Sequence, residues 1–301
     1  MTLWPRRTHS TRKSRNPRNT RTALTRTRTD PGDPAALLRA NPVLLLAGPP
    51  ADLAVTRLLG EWNPAADLPQ VADGVHWAGP FRLDTVGSAQ AGLPHGWSTA
   101  YAARAVRSRT RVPDGLDADL VRLRYPHGLP TGAERVAWSL VTGLARRLDG
   151  AARLPAASSR ADRSPAALRA RAQENTYCVY GNEALPWSVL RSVLCLSLPE
   201  LDRNGALADD DYCLDRPGGF EVRVRPFRPG EFVPYALRSR TAADWPGTVY
   251  RFRCLPQATE VDAERIDALL RAAACQLADV VGGVLLDGEG FPMVAESLLH
   301  R

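Results

Sequence analysis

The sequence predicts an α+β protein built by internal duplication, and three observations support this. Ala133-Glu134-Arg135-Val136 leads into Leu144-Ala145, Leu148 and Gly150-Ala151, while Ala263-Glu264-Arg265-Ile266 leads into Leu277-Ala278, Val281 and Gly283-Val284. A repeat at so long a period implies two units, each burying an apolar face of its own. Both words also have the same grammar: a helical stripe, a glycine stop and a short apolar run. Finally, 301 residues with 44% apolar content suffice for two cores of ordinary size.

The elements follow in order. Residues 1–34 hold nine basic side chains, Arg6 and Arg28 among them, against Asp30 and Asp33, with no apolar periodicity. Nothing there offsets the entropy of ordering, so a disordered basic tail is expected. The first half, 35–155, opens with an apolar strand at Pro42–Gly48 and a helix at Ala51–Trp62 that aligns Val55, Leu58, Leu59 and Trp62. Extended segments follow at Gly74–Asp84 and Trp97–Arg107, and an alternating strand at Asp119–Tyr125 carries Arg122 and Arg124 on one side. Thr131 with Glu134 reads as a capping box for a helix striped by Val136, Leu140, Leu144 and Leu148, ended by Gly150 before a return strand. Residues 156–174, rich in Ala, Ser and Arg, read as a linker with a short helix at Ala166–Gln173.

The second half, 175–301, repeats the plan. Strand Tyr177–Tyr180 precedes helix Leu185–Leu196, strands follow near Tyr212–Leu214, Phe220–Arg225 and Tyr250–Arg253, and helix Asp262–Val281 leads into strand Val284–Asp287. Pro234–Thr241 echoes Ala100–Thr110, and Tyr250–Arg253 echoes Val121–Arg124. Strand, helix, antiparallel strands, helix, strand is the order of a ferredoxin-like split βαβ unit, whose helices cover one sheet face and leave the other open. The expected architecture is two such halves in tandem.

Charge narrows the function classes. The net +7 resides wholly in the tail, so the body is balanced and only the tail has a general pull on polyanions. All but one of the 39 basic residues are arginine, a bias that lowers the weight of any single one. Five dispersed cysteines, Cys178, Cys195, Cys213, Cys254 and Cys275, read as small core residues of a reduced, cytoplasmic protein, with neither disulfide framework nor zinc spacing. No apolar run is long enough to span a bilayer. Phosphate loop, dinucleotide fingerprint, zinc-protease helix and nucleophile elbow are all missing, so the sequence names no reaction, cofactor or metal.

Two constellations remain. Arg122 and Arg124, Arg223 and Arg225, and Arg251 and Arg253 each project from one face of a strand, and on an open sheet face they form an anion-binding ladder. Tyr250 and Phe252 alternate away from Arg251 and Arg253, which disfavours RNA stacking. His76, His95 and His127 lie near turns of the first half and are weak candidates for a general base. Asp209-Asp210-Asp211 and Asp287-Gly-Glu-Gly290 read as a solvated loop and a turn. The leading expectation is a non-enzymatic binding or assembly protein holding a protein or small anionic partner. The alternatives are an enzyme with a cleft between its halves, using arginine and a histidine base, and nucleic-acid binding through the tail alone.

Overall fold

The computed structural model describes residues 33–49, 51–110, 128–155, 168–169, 176–198, 202–208, 211–216, 219–228, 231–240, 246–255 and 260–293. Within them lie six α-helices and two six-stranded antiparallel sheets. The described residues begin two positions before the expected boundary: Asp33 accepts a hydrogen bond from the Ala35 amide and Pro34 opens helix α1, Pro34–Ala40. An acceptor at the cap and a proline in the first turn are the ordinary start signals of a helix. The rest of the expected tail lies outside the described residues.

Strand β1, Val43–Leu46, is buried on both faces and leads to α2, Asp52–Trp62, whose buried residues Val55, Leu58, Leu59 and Trp62 are those of the sequence stripe. Strands β2, Gln70–Ala72, and β3, Val75–Arg82, form a hairpin; α3, Thr85–Ala91, and β4, Thr99–Ala105, follow. A two-stranded ribbon of β5, Arg109–Thr110, and β6, Leu129–Pro130, introduces helix α4, Gly132–Arg147. Strand β7, Ala151–Arg153, returns beside β1, and β8, Leu168–Arg169, adds an outer strand. The sheet order is β2-β3-β4-β1-β7-β8. Residues 168 and 169 are thus strand where a linker helix was expected.

The expected open face of this first sheet is closed. Leu44, Tyr101 and Ala152 point toward α2 and α4, while Val43, Leu45, Ala100, Ala102 and Ala151 point the other way, under Leu38 of α1 and Ala91 of α3. Two short helices were missed in sequence because each contributes only one or two apolar contacts, too few to set up a period.

Arg153 is the exception in that second layer. It is 5% exposed, donates through Nη1 to the Leu38 carbonyl at 3.0 Å, and has an Nε without a partner. Burial, together with the charge of Arg39, pushes its pKa down to about 10. The unfolded chain therefore binds the proton more tightly than the folded one. This group's contribution to stability is complete only above the unfolded value and is lost as pH falls through the folded one, so at neutral pH the cation is a cost. Replacement by Met is expected to raise stability at pH 7 by about 1–2 kcal/mol in urea unfolding. That advantage should shrink as pH approaches 11.

The second sheet is built from the later elements. Strand β9, Thr176–Gly181, precedes α5, Trp187–Leu194, then β10, Asp202–Ala208, β11, Asp211–Arg216, β12, Phe220–Pro226, and β13, Thr248–Cys254. Helix α6, Glu260–Val281, leads into β14, Val284–Asp287. The order is β10-β11-β12-β13-β9-β14. In both sheets the first strand lies between the strand that follows the long helix and the last strand of the preceding meander, β7-β1-β4 and β14-β9-β13. The glycines of the repeated words have one job: a Cβ on Gly150 would sit 2.5 Å from the Leu45 carbonyl of β1, and one on Gly283 would sit 2.7 Å from the Tyr180 carbonyl of β9.

Several echoes do not extend to structure. Thr131 makes no side-chain cap bond; its hydroxyl meets Ser108 Oγ at 2.7 Å, and Glu134 turns away from the cap. Glu134 is 1% exposed, accepting from the Ser108 amide at 2.9 Å and from Arg109 at 2.8 Å, whereas its counterpart Glu264 is exposed. Tyr235–Leu237 forms a single 3-10 turn where the echo with β4 implied a strand. Cys195 is exposed and Cys178, Cys254 and Cys275 are half-buried, so these four are not core residues in the strict sense.

The two sheets are joined by side chains that the second half sends into the first core. Phe291, fully buried, belongs to the first core, packing on Gly143 of α4 and facing Trp62. The turn that delivers it is held by Asp287, whose Oδ1 accepts from the amides of Glu289 and Phe291 and whose Oδ2 meets Arg147 at 2.7 Å. Glu289 pairs with Arg146 at 2.8 Å, and the Trp62 indole donates to the Glu289 carbonyl at 3.0 Å. Arg147 lies 4.2 Å over the Phe291 ring, Trp62 and Tyr235 stack at 4.7 Å, and Arg238 caps Tyr235 at 3.8 Å. Cations thus close both ends of an aromatic column, an arrangement the ring quadrupole favours. Helix α4 is buried over most of its surface because it faces its sheet on one side and this turn on the other.

Candidate functional site

The second sheet places its arginines by alternation. Val222, Val224, Tyr250 and Phe252 are buried beneath α5 and α6, so Glu221, Arg223, Arg225, Arg251 and Arg253 occupy the opposite face. Pairing of β12 with β13 sets Arg223 directly opposite Arg251, Glu221 opposite Arg253 and Arg225 opposite Val249. Like charges directly opposed on a sheet destabilise it. The two flanks are neutralised: Arg253 pairs with Glu221 at 2.8 Å and Arg225 with Glu231 at 2.7 Å. Arg251 is exposed, and Cys178 of β9 is its cross-strand neighbour.

The apolar side of this face is inert chemistry. Burial pushes the Cys178 thiol up to about 11 against the pull of Arg251 and Arg225, which leaves it protonated at neutral pH and a poor nucleophile. Tyr180, edge-on to Phe227 at 6.3 Å, has its phenol raised by burial and by the neighbouring thiol. This face sets arginine cations beside groups that are protonated at neutral pH.

The ladder therefore assembles four of its six arginines. Arg122, Arg124 and His127 lie outside the described residues. His95 is exposed in the loop between α3 and β4. His76 lines a pocket of about 500 Å³ at the junction of the two sheets, with Asp67, Gln70, Asp73, Tyr235 and Arg238 among its walls. Neither a second histidine nor any ladder arginine reaches it, so the general base and the anion-fixing groups of the cleft-enzyme expectation are not brought together there. Among the described residues no cluster of His, Cys, Asp and Glu has metal-binding geometry, and no helix is long and apolar enough to cross a membrane.

Sequence reading missed the bracketing role of Glu231 and the pocket wall around Tyr235 and Arg238. Alternation in β12 gave Glu221, but Glu231 reaches Arg225 from a loop, and no periodicity marks a loop contact. A scan against protein-family models finds no match and a search of curated proteins finds none, so the functional reading rests on the geometry of this face.

Proposed function

We propose that this is a non-enzymatic binding protein that holds an anionic partner on the arginine-bearing face of its second sheet. The carrying observation is the direct opposition of Arg223 and Arg251 with Arg225 and Arg253 beside them. Guanidinium groups set this close can be bridged by one anion. The protonated Cys178 fits binding better than turnover.

The same reading takes the two sheets as copies of one ferredoxin-like split βαβ unit. Supporting it are the common strand order around β1 and β9, the long helix before β7 and β14, and the glycines that press on the first strand in both. On this reading one copy presents Arg251 on this face for a partner, while the other has closed its own with α1 and α3.

The test is a titration of isotopically labelled protein with citrate, sulfate and phosphate at low salt. Amide shifts are expected at 222–225 and 249–253, saturating and abolished in Arg251→Gln. Should none of the three anions move these signals, the reading fails.

A further inference from the structure

We infer that the pocket at the junction of the two sheets is a second site, separate from the arginine face, that takes a primary ammonium on an apolar stem, whether a free alkylamine or a lysine side chain. Both halves build it. Residues between 63 and 76 form one wall, Tyr235 and Arg238 form the other, and the volume of about 500 Å³ is that of an ordinary small-molecule site. Charge selects the sign of the ligand. Asp67 and Asp73 stand in these walls against a single guanidinium, and that one is already engaged: Arg238 Nη1 donates to Asp73 at 2.8 Å, Nε donates to the Val233 carbonyl at 3.2 Å, and the group lies over the Tyr235 ring. The Asp67 carboxylate has neither hydrogen bond nor ion pair among the described residues. An anion would have to displace Asp73, whereas a cation finds Asp67 open.

The walls also select the kind of cation. Asp67, Asp73 and His76 line one pocket without converging on a common point, so a bare metal ion is poorly served and a cation with bulk is favoured. Tyr235 is 5% exposed and lines the pocket, yet its hydroxyl has no hydrogen-bond partner among the described residues and is not sealed from solvent. A phenol oxygen so placed is costly until a donor reaches it, and an ammonium brings three. The ring itself is taken up by Trp62 at 4.7 Å and by the Arg238 guanidinium at 3.8 Å, which leaves no platform for stacking a sugar or a nucleobase. Leu68 and Pro69, exposed in the same wall, give the apolar ground for the stem.

The test is a titration of the labelled full chain, followed by amide shifts, with butylamine, methylamine, butan-1-ol, butyrate and Nα-acetyl-lysine N-methylamide. Butylamine is expected to bind one per chain, moving signals at 67–76 and 235–238, and methylamine to bind several-fold more weakly for want of a stem. Asp67→Asn should weaken butylamine roughly 3-fold or more. Tyr235→Phe keeps the ring and removes only the hydroxyl, and should cost roughly 5-fold or more. Glu264→Gln makes the same charge change as Asp67→Asn on an exposed stretch of α6 and should leave affinity unchanged. The lysine derivative binding at least as tightly as butylamine supports the site with a partner's lysine as its ligand, and weaker binding supports it with a free amine. Butan-1-ol or butyrate binding as tightly as butylamine overturns the inference, and so does an affinity unchanged in both Asp67→Asn and Tyr235→Phe.

Discussion

Truncating Phe291 to Ala is expected to destabilise the chain by about 3–5 kcal/mol, measured as the shift in urea unfolding free energy. The ring is fully buried in the first core although it comes from the second sheet's side of the molecule, and it carries contacts to Gly143, Trp62 and the Arg147 guanidinium. Gly143→Ala is expected to be costly for the reciprocal reason. A Cβ there would overlap Cε2 of Phe291 and come within 2.8 Å of Cδ2. In most helices this substitution is mildly favourable, by about 1 kcal/mol. Combined with Phe291→Ala the new methyl enters the vacated space, so the two changes should be non-additive by roughly 1–3 kcal/mol. Additive costs would mean that the turn does not seat on α4 in solution.

The second large effect is expected at Glu134. Its carboxylate is buried and receives Arg109 Nε at 3.0 Å, Arg109 Nη2 at 2.8 Å and the Ser108 amide at 2.9 Å, with Arg107 at 4.0 Å. Burial and the adjacent Arg109 charge already hold the Arg107 guanidinium below its ordinary pKa. Glu134→Ala strips the buried carboxylate from this cluster and should cost about 3–5 kcal/mol, since the Arg109 guanidinium stays largely buried. Adding Arg109→Met should recover part of the loss, because removing both partners costs less than orphaning one. A double variant as unstable as the single would mean that Arg107 and the Ser108 amide, not Arg109, depend on the carboxylate.

Much of the layout was legible because it rests on periodicity. Helices α2, α4 and α6 follow apolar stripes, β1 follows a run of Val and Leu, and the outward arginines of β12 and β13 follow from simple alternation. What escaped were contacts between segments far apart in the chain. The Asp287–Phe291 turn reads locally as a solvated bend, and only its docking gives it meaning. One signal for it did exist: Gly143 interrupts an otherwise strong helix, and a glycine there asks what presses against it. The repeated Ala-Glu-Arg word misled in a different way. It preserves a helix start in both places, yet Glu134 gathers arginines while Glu264 faces solvent.

Because Phe291 belongs to the N-terminal core, synthesis order and folding order part company here. A ribosome ordinarily releases an N-terminal unit that closes by itself while the remainder is still being made. In this protein the earlier unit keeps a vacancy beside Trp62 and Gly143 until residue 291 has been made. The nascent chain must therefore keep that apolar hollow from other molecules throughout synthesis of the second half, and completion of one half is an event of the other.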